Sequence, residues 1–156
     1  MTDLQEGAKA PAFSLQADDG STVKLSDFKG QTLVLYFYPR ADSPGCTREA
    51  CDFRDAIAVF KKRKAVVVGM SKDKLPALQK FKEKYQLPFR LLSDPDHAVQ
   101  EQYGAWGKKN MYGKMVEGTI RSTVIIGPDG KILRRWPKVK VDGHAEEVLG
   151  ALAAKS

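Results

Sequence analysis

Thr32-Leu33-Val34-Leu35-Tyr36-Phe37-Tyr38-Pro39-Arg40-Ala41-Asp42-Ser43-Pro44-Gly45-Cys46-Thr47-Arg48-Glu49-Ala50-Cys51 is the stretch that decides how this chain folds. Residues 32–38 are a near-continuous run of β-branched, aromatic and leucine side chains. A run without polar alternation is the pattern of a strand buried on both faces. Pro39 stops it, because proline has no N–H to give to a sheet ladder. Beyond the stop, Ser43 is a capping residue and Pro44 suits a first helical position. Ala50, Phe53, Ile57 and Phe60 then recur at spacings of three and four, the period of a helix face. The reading is a buried strand handing over, through a short loop, to a helix across residues 43–60.

Outward from this unit, residues 13–16 and 22–25 form an N-terminal hairpin around Ala17-Asp18-Asp19-Gly20. A second buried strand covers residues 65–70 and an amphipathic helix residues 74–85. A short strand follows at 89–92 and a short helix at 97–103. Strands at 121–126 and 131–136 flank Gly127-Pro128-Asp129-Gly130 as a second hairpin, and a helix over 144–154 closes the chain. Strand–helix–strand early and hairpin–helix late imply an α/β fold with a mixed central sheet and helices on both faces. That order fits a thioredoxin-like sheet carrying an N-terminal β-hairpin. No repeat or linker divides the chain, so residues 1–156 read as one domain. Residues 104–120 lack periodicity and read as a long loop, of the kind that is functional when it occurs in a compact domain.

Composition excludes several classes. No apolar run approaches the roughly 18 residues needed to span a bilayer. The start, Met1-Thr2-Asp3-Leu4-Gln5-Glu6, is polar and acidic, unlike a secretory signal. A cytoplasmic protein with no membrane partner is expected. The net charge of +7 raises the question of nucleic acid. The one dense basic run, Lys61-Lys62-Arg63-Lys64, follows a helix ending near Phe60, where cations complement the helix dipole. Two cysteines cannot make a four-thiolate zinc site, and His97 and His144 have no ligand spacing to them. No metal is expected. In a reducing cytosol a close cysteine pair points to catalysis more than to a structural staple.

The chemistry sits where the buried strand meets the helix, the end at which open α/β sheets bind ligands. With Ser43 as cap, Cys46 falls at the third helical position. A sulfur there meets unpaired backbone N–H groups and the positive end of the dipole. Both favour the thiolate, which is the nucleophile. The Ser43 hydroxyl is expected to bond the Cys46 backbone and face the same small pocket. Gly45 is expected to let substrate approach the main chain closely. Pro39 and Pro44 stiffen the loop and shield the sulfur from water. Glu49, one turn beyond Cys46, is placed to orient an arginine. Taken alone, each is an ordinary capping serine, turn glycine or surface glutamate; their spacing around one cysteine is what points to function.

The segment resembles the active site of peroxiredoxins, whose signature Pro-x-x-x-Thr/Ser-x-x-Cys is filled by Pro39, Ser43 and Cys46. More narrowly it resembles the bacterioferritin comigratory protein, or peroxiredoxin Q, subfamily. There Gly-Cys-Thr-x-Glu-Ala-Cys-x-Phe-Arg-Asp matches residues 45–55, so that Cys51 follows Cys46 by five positions. Residues 103–109, 118–123 and 144–149 resemble later blocks of that subfamily, and the likeness runs from about residue 4 to 154. One departure is Ser43, where the subfamily more often has threonine; the hydroxyl stays and the rotamer-fixing methyl is lost. The resemblance implies a peroxidatic Cys46 that becomes a sulfenic acid and a resolving Cys51 that forms a Cys46–Cys51 disulfide. Pro39, Ser43, Glu49 and Arg121 support them, with Ser43, Gly45, Cys46 and Arg121 contacting a hydroperoxide. A guanidinium beside Cys46 stabilises a thiolate and the charge developing on a breaking O–O bond. Without the resemblance, Arg121 reads as an exposed strand residue. The resemblance also implies a thioredoxin-type reductant and a monomer. The cysteines carry the redox chemistry, so no haem, flavin or metal cofactor is needed.

Two rival readings remain at this level. A thioredoxin-like disulfide oxidoreductase uses Cys-x-x-Cys at the same turn, but here four residues separate the cysteines. A basic nucleic-acid-binding module needs lysines interleaved with exposed aromatics. Its nearest candidate is residues 106–114, with Trp106, Lys108, Lys109, Tyr112 and Lys114; nucleic acid is not the expected partner.

Overall fold

The computed structural model describes residues 4–155. Its elements, in chain order, are β1 (Ser14–Ala17), β2 (Thr22–Lys24), a 3₁₀ turn (Leu25–Phe28), β3 (Thr32–Phe37), α1 (Pro44–Asp55), α2 (Ile57–Lys62) and β4 (Ala65–Ser71). There follow α3 (Leu75–Tyr85), β5 (Arg90–Ser93), α4 (Ala98–Gln102), β6 (Trp106–Met111), β7 (Lys114–Thr119), β8 (Ser122–Ile126), β9 (Ile132–Trp136) and α5 (His144–Lys155). Seven strands form one mixed sheet in the order β2-β1-β5-β4-β3-β8-β9. β3, β4 and β5 run parallel at its centre, while β1 and β8 pair antiparallel against them. This is the thioredoxin-like α/β architecture with an N-terminal hairpin that the element order implies. Among the described residues no helix is long and apolar enough to cross a membrane.

The strand over 32–37 is buried on both faces because successive side chains serve two cores. Val34 and Tyr36, with Tyr38 just beyond the strand, join Phe53, Phe60, Leu78, Phe81 and Val148 under the α1, α2, α3 and α5 side. Leu33, Leu35 and Phe37 join Phe13, Phe28, Met70, Val99 and Tyr103 on the other. β3 therefore lies at the centre of the packing, and its C-terminal end is a rigid place from which to launch α1.

Two expectations are corrected. The single helix over 43–60 is two helices. Ala56 leaves the helical region at φ −98, ψ 3, its N–H reaches back to the Phe53 carbonyl, and the chain re-enters as α2. The change of axis lets Phe53 and Phe60 both stay fully buried with ring centroids 5.7 Å apart. Lys61 and Lys62 occupy the last turn of α2, where their charge suits the dipole. The long loop over 104–120 is instead a two-stranded hairpin, β6–β7, separate from the main sheet. Its two-residue turn has positive φ at both Tyr112 (54°) and Gly113 (82°), the requirement of a tight hairpin turn with the right twist. Tyrosine at the first of these positions conceals the turn from a sequence reading that looks for Asn-Gly or Asp-Gly.

Candidate active site

α1 begins at Pro44, so Cys46 is the third residue of the helix, as the cap reading requires. Its side chain is buried, packed among Tyr36, Tyr38, Ala50 and Phe53. Arg121 reaches it from the other end of the sequence. The antiparallel register pairs Phe37 with Ser122, which puts Arg121, one residue before β8, beside the C-terminal end of β3. Its Nη2 donates to Cys46 Sγ at 3.3 Å and its Nη1 to Glu49 Oε1 at 2.7 Å. One planar fork thus bridges a sulfur and a carboxylate one helical turn apart, a geometry lysine cannot copy. The Arg121 side chain is 18% exposed; it is not a free surface residue.

Burial pushes the Glu49 carboxyl up to about 7, with the Arg121 charge and hydrogen bond pulling the other way. Glu49 Oε2 is buried and, among the described residues, has no hydrogen-bond partner. Burial also opposes the charge on Arg121, but Glu49 and the Cys46 sulfur outweigh it and hold the guanidinium above its ordinary value. The pair is a fixed cation backed by a carboxylate at the edge of a dry site, where electrostatic interactions are strongest.

At Gly45 the close approach that the structure shows is made by a side chain of the protein. A Cβ built there would lie 3.1 Å from Arg121 Nη2. The missing side chain makes room for the guanidinium. Ser43 is corrected too. It adopts extended φ/ψ before α1, but its hydroxyl donates to the Arg40 carbonyl at 2.9 Å and makes no capping bond. The bend at Asp42, φ 63°, turns that carbonyl back toward residue 43, so the hydroxyl closes the loop and does not bond the Cys46 backbone. Pro44 is exposed and opens the helix without covering the sulfur. Pro39 and Arg121 line a cleft of about 540 Å³, with Lys108, Met115, Ile120 and Val139 among its other walls. A larger cavity of about 670 Å³ lies near Phe13, Phe28 and Pro128, and none of the residues named so far for this site line it.

Cys51 is half-buried on the same unbroken helix, and both thiols are free. The helix is tied down at both ends. Asp42 accepts from Tyr85 Oη at 2.6 Å and Lys84 Nζ at 2.9 Å, and Arg54 Nη1 donates to the Tyr85 carbonyl at 2.9 Å. Arg48 pairs with Asp142, ahead of α5. The preceding loop is held where the Ala41 N–H donates to Asp73 Oδ2 at 2.7 Å. Asp42, Asp73 and Tyr85 carry no signal in the sequence that would attach them to the site. Lys109 was named there only as part of a basic stretch. In the fold its Nζ donates to the Thr119 carbonyl at 2.9 Å. Burial, and after it the Arg121 charge, depress its pKa. Trp106, the other aromatic of that stretch, is spent on His97, stacked at 3.8 Å and 3°.

A buried thiol at the start of the helix that follows a central parallel strand, with a guanidinium on its sulfur, defines the class as a thiol-dependent peroxidase on a thioredoxin-like frame. The chain belongs to the AhpC/TSA family, whose family model matches residues 7–135. Its relatives include Bcp peroxiredoxins. Peroxiredoxin Bcp of Bacillus subtilis is 47% identical over 149 residues, 96% of this chain and 95% of the relative. Peroxiredoxin Bcp of Escherichia coli K12 is 45% identical over 152 residues, 97% of each. A peroxiredoxin Q of Xanthomonas campestris superposes with a TM-score of 0.90 at 38% identity, covering 99% of both chains. The same organism's bacterioferritin comigratory protein, solved in a study of alkyl peroxide reduction, gives 0.89 at 37% identity and 99% of both.

Proposed function

We propose that Cys46 is the peroxidatic cysteine, that Cys51 resolves it, and that a thioredoxin-type dithiol protein recycles the pair. The observation that carries the reading is the Arg121 fork, joining buried Cys46 Sγ to buried Glu49. The thiolate attacks one oxygen of a hydroperoxide, the O–O bond breaks, and the leaving oxygen departs as water or alcohol after taking a proton. Arg121 holds the thiolate and meets the charge that develops on the leaving oxygen. Glu49 fixes the direction of the guanidinium. Pro39 walls the approach, Gly45 leaves space for the arginine, and Ser43 fixes the loop behind the sulfur. Cys51 then attacks the Cys46 sulfenic acid, releasing water and forming the disulfide. The substrates this supports are hydrogen peroxide and organic hydroperoxides.

The second step demands motion. Five residues of α-helix rise about 7.5 Å, whereas a disulfide needs Cα atoms within roughly 7 Å and Cβ atoms aimed at each other. α1, continuous over Pro44–Asp55, therefore has to open before the bond forms. The test is intact mass after one equivalent of hydrogen peroxide, with hydrogen exchange over residues 43–56. The expected result is an internal disulfide with loss of amide protection there. C46S should lose peroxidase turnover, and C51S should stop at a Cys46 sulfenic acid that an added thiol rescues. Turnover near wild type in C46S, or a disulfide formed with α1 still protected, refutes the proposal.

A further inference from the structure

Three of the four large hydrophobic side chains exposed among the described residues belong to one hairpin. Tyr112 (101% exposed) is at the turn of the β6–β7 hairpin, Met115 (66%) and Val116 (37%) follow it on β7 and face opposite sides of the ribbon, and the fourth, Val59, is on α2. Lys108 and Lys114 are exposed as well; Lys108 stands opposite Glu117, the only acidic residue of the hairpin's two strands, while Lys114, beside the turn, stands opposite Met111. Among the described residues neither lysine makes an ion pair. Clustered apolar side chains kept in water mark an interaction surface. The position gives this one a meaning. Met115 and Lys108 wall the cleft that Arg121 lines, and Arg121 is bonded to Cys46.

We infer that the tip of the β6–β7 hairpin is the docking surface for the reductant, a dithiol protein that presents an apolar patch within an acidic rim. The inference rests on the peroxidase reading. A hydroperoxide is small and needs only the cleft. The reductant is a macromolecule and has to be held while sulfur exchanges. One partner thiolate attacks the Cys46–Cys51 disulfide, making a mixed disulfide and releasing one cysteine as its thiolate. The partner's second thiol displaces the first, so the partner leaves oxidised and both cysteines are reduced, two electrons and two protons having passed. A patch of three side chains is far below the 20–30 residues per side of a stable complex, as suits a partner that must leave every cycle. Lys114, exposed beside the turn and facing no acidic residue of the hairpin, selects an acidic rim and speeds the encounter.

The test compares thioredoxin, regenerated by its reductase and NADPH, with dithiothreitol, which needs no docking surface. Tyr112, Val116 and Lys114 lie outside the cleft walls, and Tyr112→Asn keeps a residue that tolerates positive φ. Y112N/V116T is expected to lower kcat/KM for thioredoxin at least fivefold, the scale of losing exposed interface contacts worth about 1 kcal/mol. K114E is expected to lower it further as salt is reduced. Both should keep the dithiothreitol-supported rate within about twofold of wild type. Unchanged thioredoxin kinetics in both variants overturn the inference, as does a parallel fall with dithiothreitol. Wild-type turnover with dithiothreitol and none with thioredoxin refutes the docking inference and the thioredoxin-type reductant and leaves the Cys46–Cys51 peroxidase chemistry standing; no turnover with either sinks that chemistry itself. Binding to vesicles of phosphatidylcholine and phosphatidylglycerol that Y112N/V116T abolishes, with thioredoxin kinetics unchanged, reassigns the hairpin to a lipid surface.

Discussion

Gly45→Ala separates stability from chemistry. The new Cβ would stand 3.1 Å from Arg121 Nη2 and 3.8 Å from its Cζ, where ordinary contact begins at 3.4 Å. The guanidinium has to retreat by about 0.3 Å (3.4 less 3.1). It already holds Cys46 Sγ at 3.3 Å, and Glu49 Oε1 at 2.7 Å limits how it can turn. A hydrogen bond to a charged group is worth about 1.5–3 kcal/mol, so weakening it by half costs roughly three- to tenfold in rate. Gly45 sits in α1 at ordinary helical φ, and Gly→Ala at a compatible position stabilises by about 0.4–1 kcal/mol. The gain and the weakened bond nearly offset each other, so the variant should unfold close to wild type while Cys46 oxidation slows about three- to tenfold. Stopped-flow mixing of reduced protein with hydrogen peroxide and urea unfolding measure the two quantities. The decisive control is R121A: with the guanidinium gone, adding G45A should cost nothing further. A wild-type rate in G45A, or the same loss with and without Arg121, would refute the account of the arginine.

Two further outcomes follow from the same geometry. Glu49's folded pKa of about 7 lies above the ordinary 4.5, so the native state binds this proton more tightly than the unfolded chain. Its contribution to stability is complete below pH 4.5 and is lost as pH rises through about 7, on the order of 3 kcal/mol in all. Urea unfolding of E49Q against wild type across that window should show the variant gaining relative stability as pH rises; a constant difference contradicts the burial argument. Tyr85→Phe removes the hydroxyl that holds Asp42 at 2.6 Å, just ahead of α1. Opening of α1 after oxidation should then be about threefold faster, the modest effect of an exposed polar contact, read as disulfide formation by quenched mass analysis; slower closure would show the tie is not a restraint.

The sequence by itself determined a strand over 32–38, one residue longer than the structure's Thr32–Phe37, the helix start at Pro44, the mixed sheet and the place of Cys46 at the third helical position. Each follows from local rules: burial pattern, proline stops and capping preference act within a few residues. The neighbours of Cys46 that lie far along the chain came only from family resemblance, and their contacts came only from the fold. Arg121 reaches Cys46 across 75 residues because the β3–β8 register sets Ser122 opposite Phe37, and no local pattern encodes a register between distant strands. For the same reason Gly45 could be read as an opening for substrate. Its true neighbour is a guanidinium brought in by another strand. Ser43 has cap chemistry, yet the positive φ at Asp42 aims its hydroxyl at Arg40, a backbone choice invisible in the residue types. The β6–β7 hairpin reads as a loop in the sequence because residues 104–120 show no clear periodicity and carry four glycines. Its base packs on α4 through the Trp106–His97 stack, while its strands pair only with each other and its apolar end is turned to solvent. Local chemistry wrote the helix that holds the sulfur; long-range strand pairing decided what the sulfur touches.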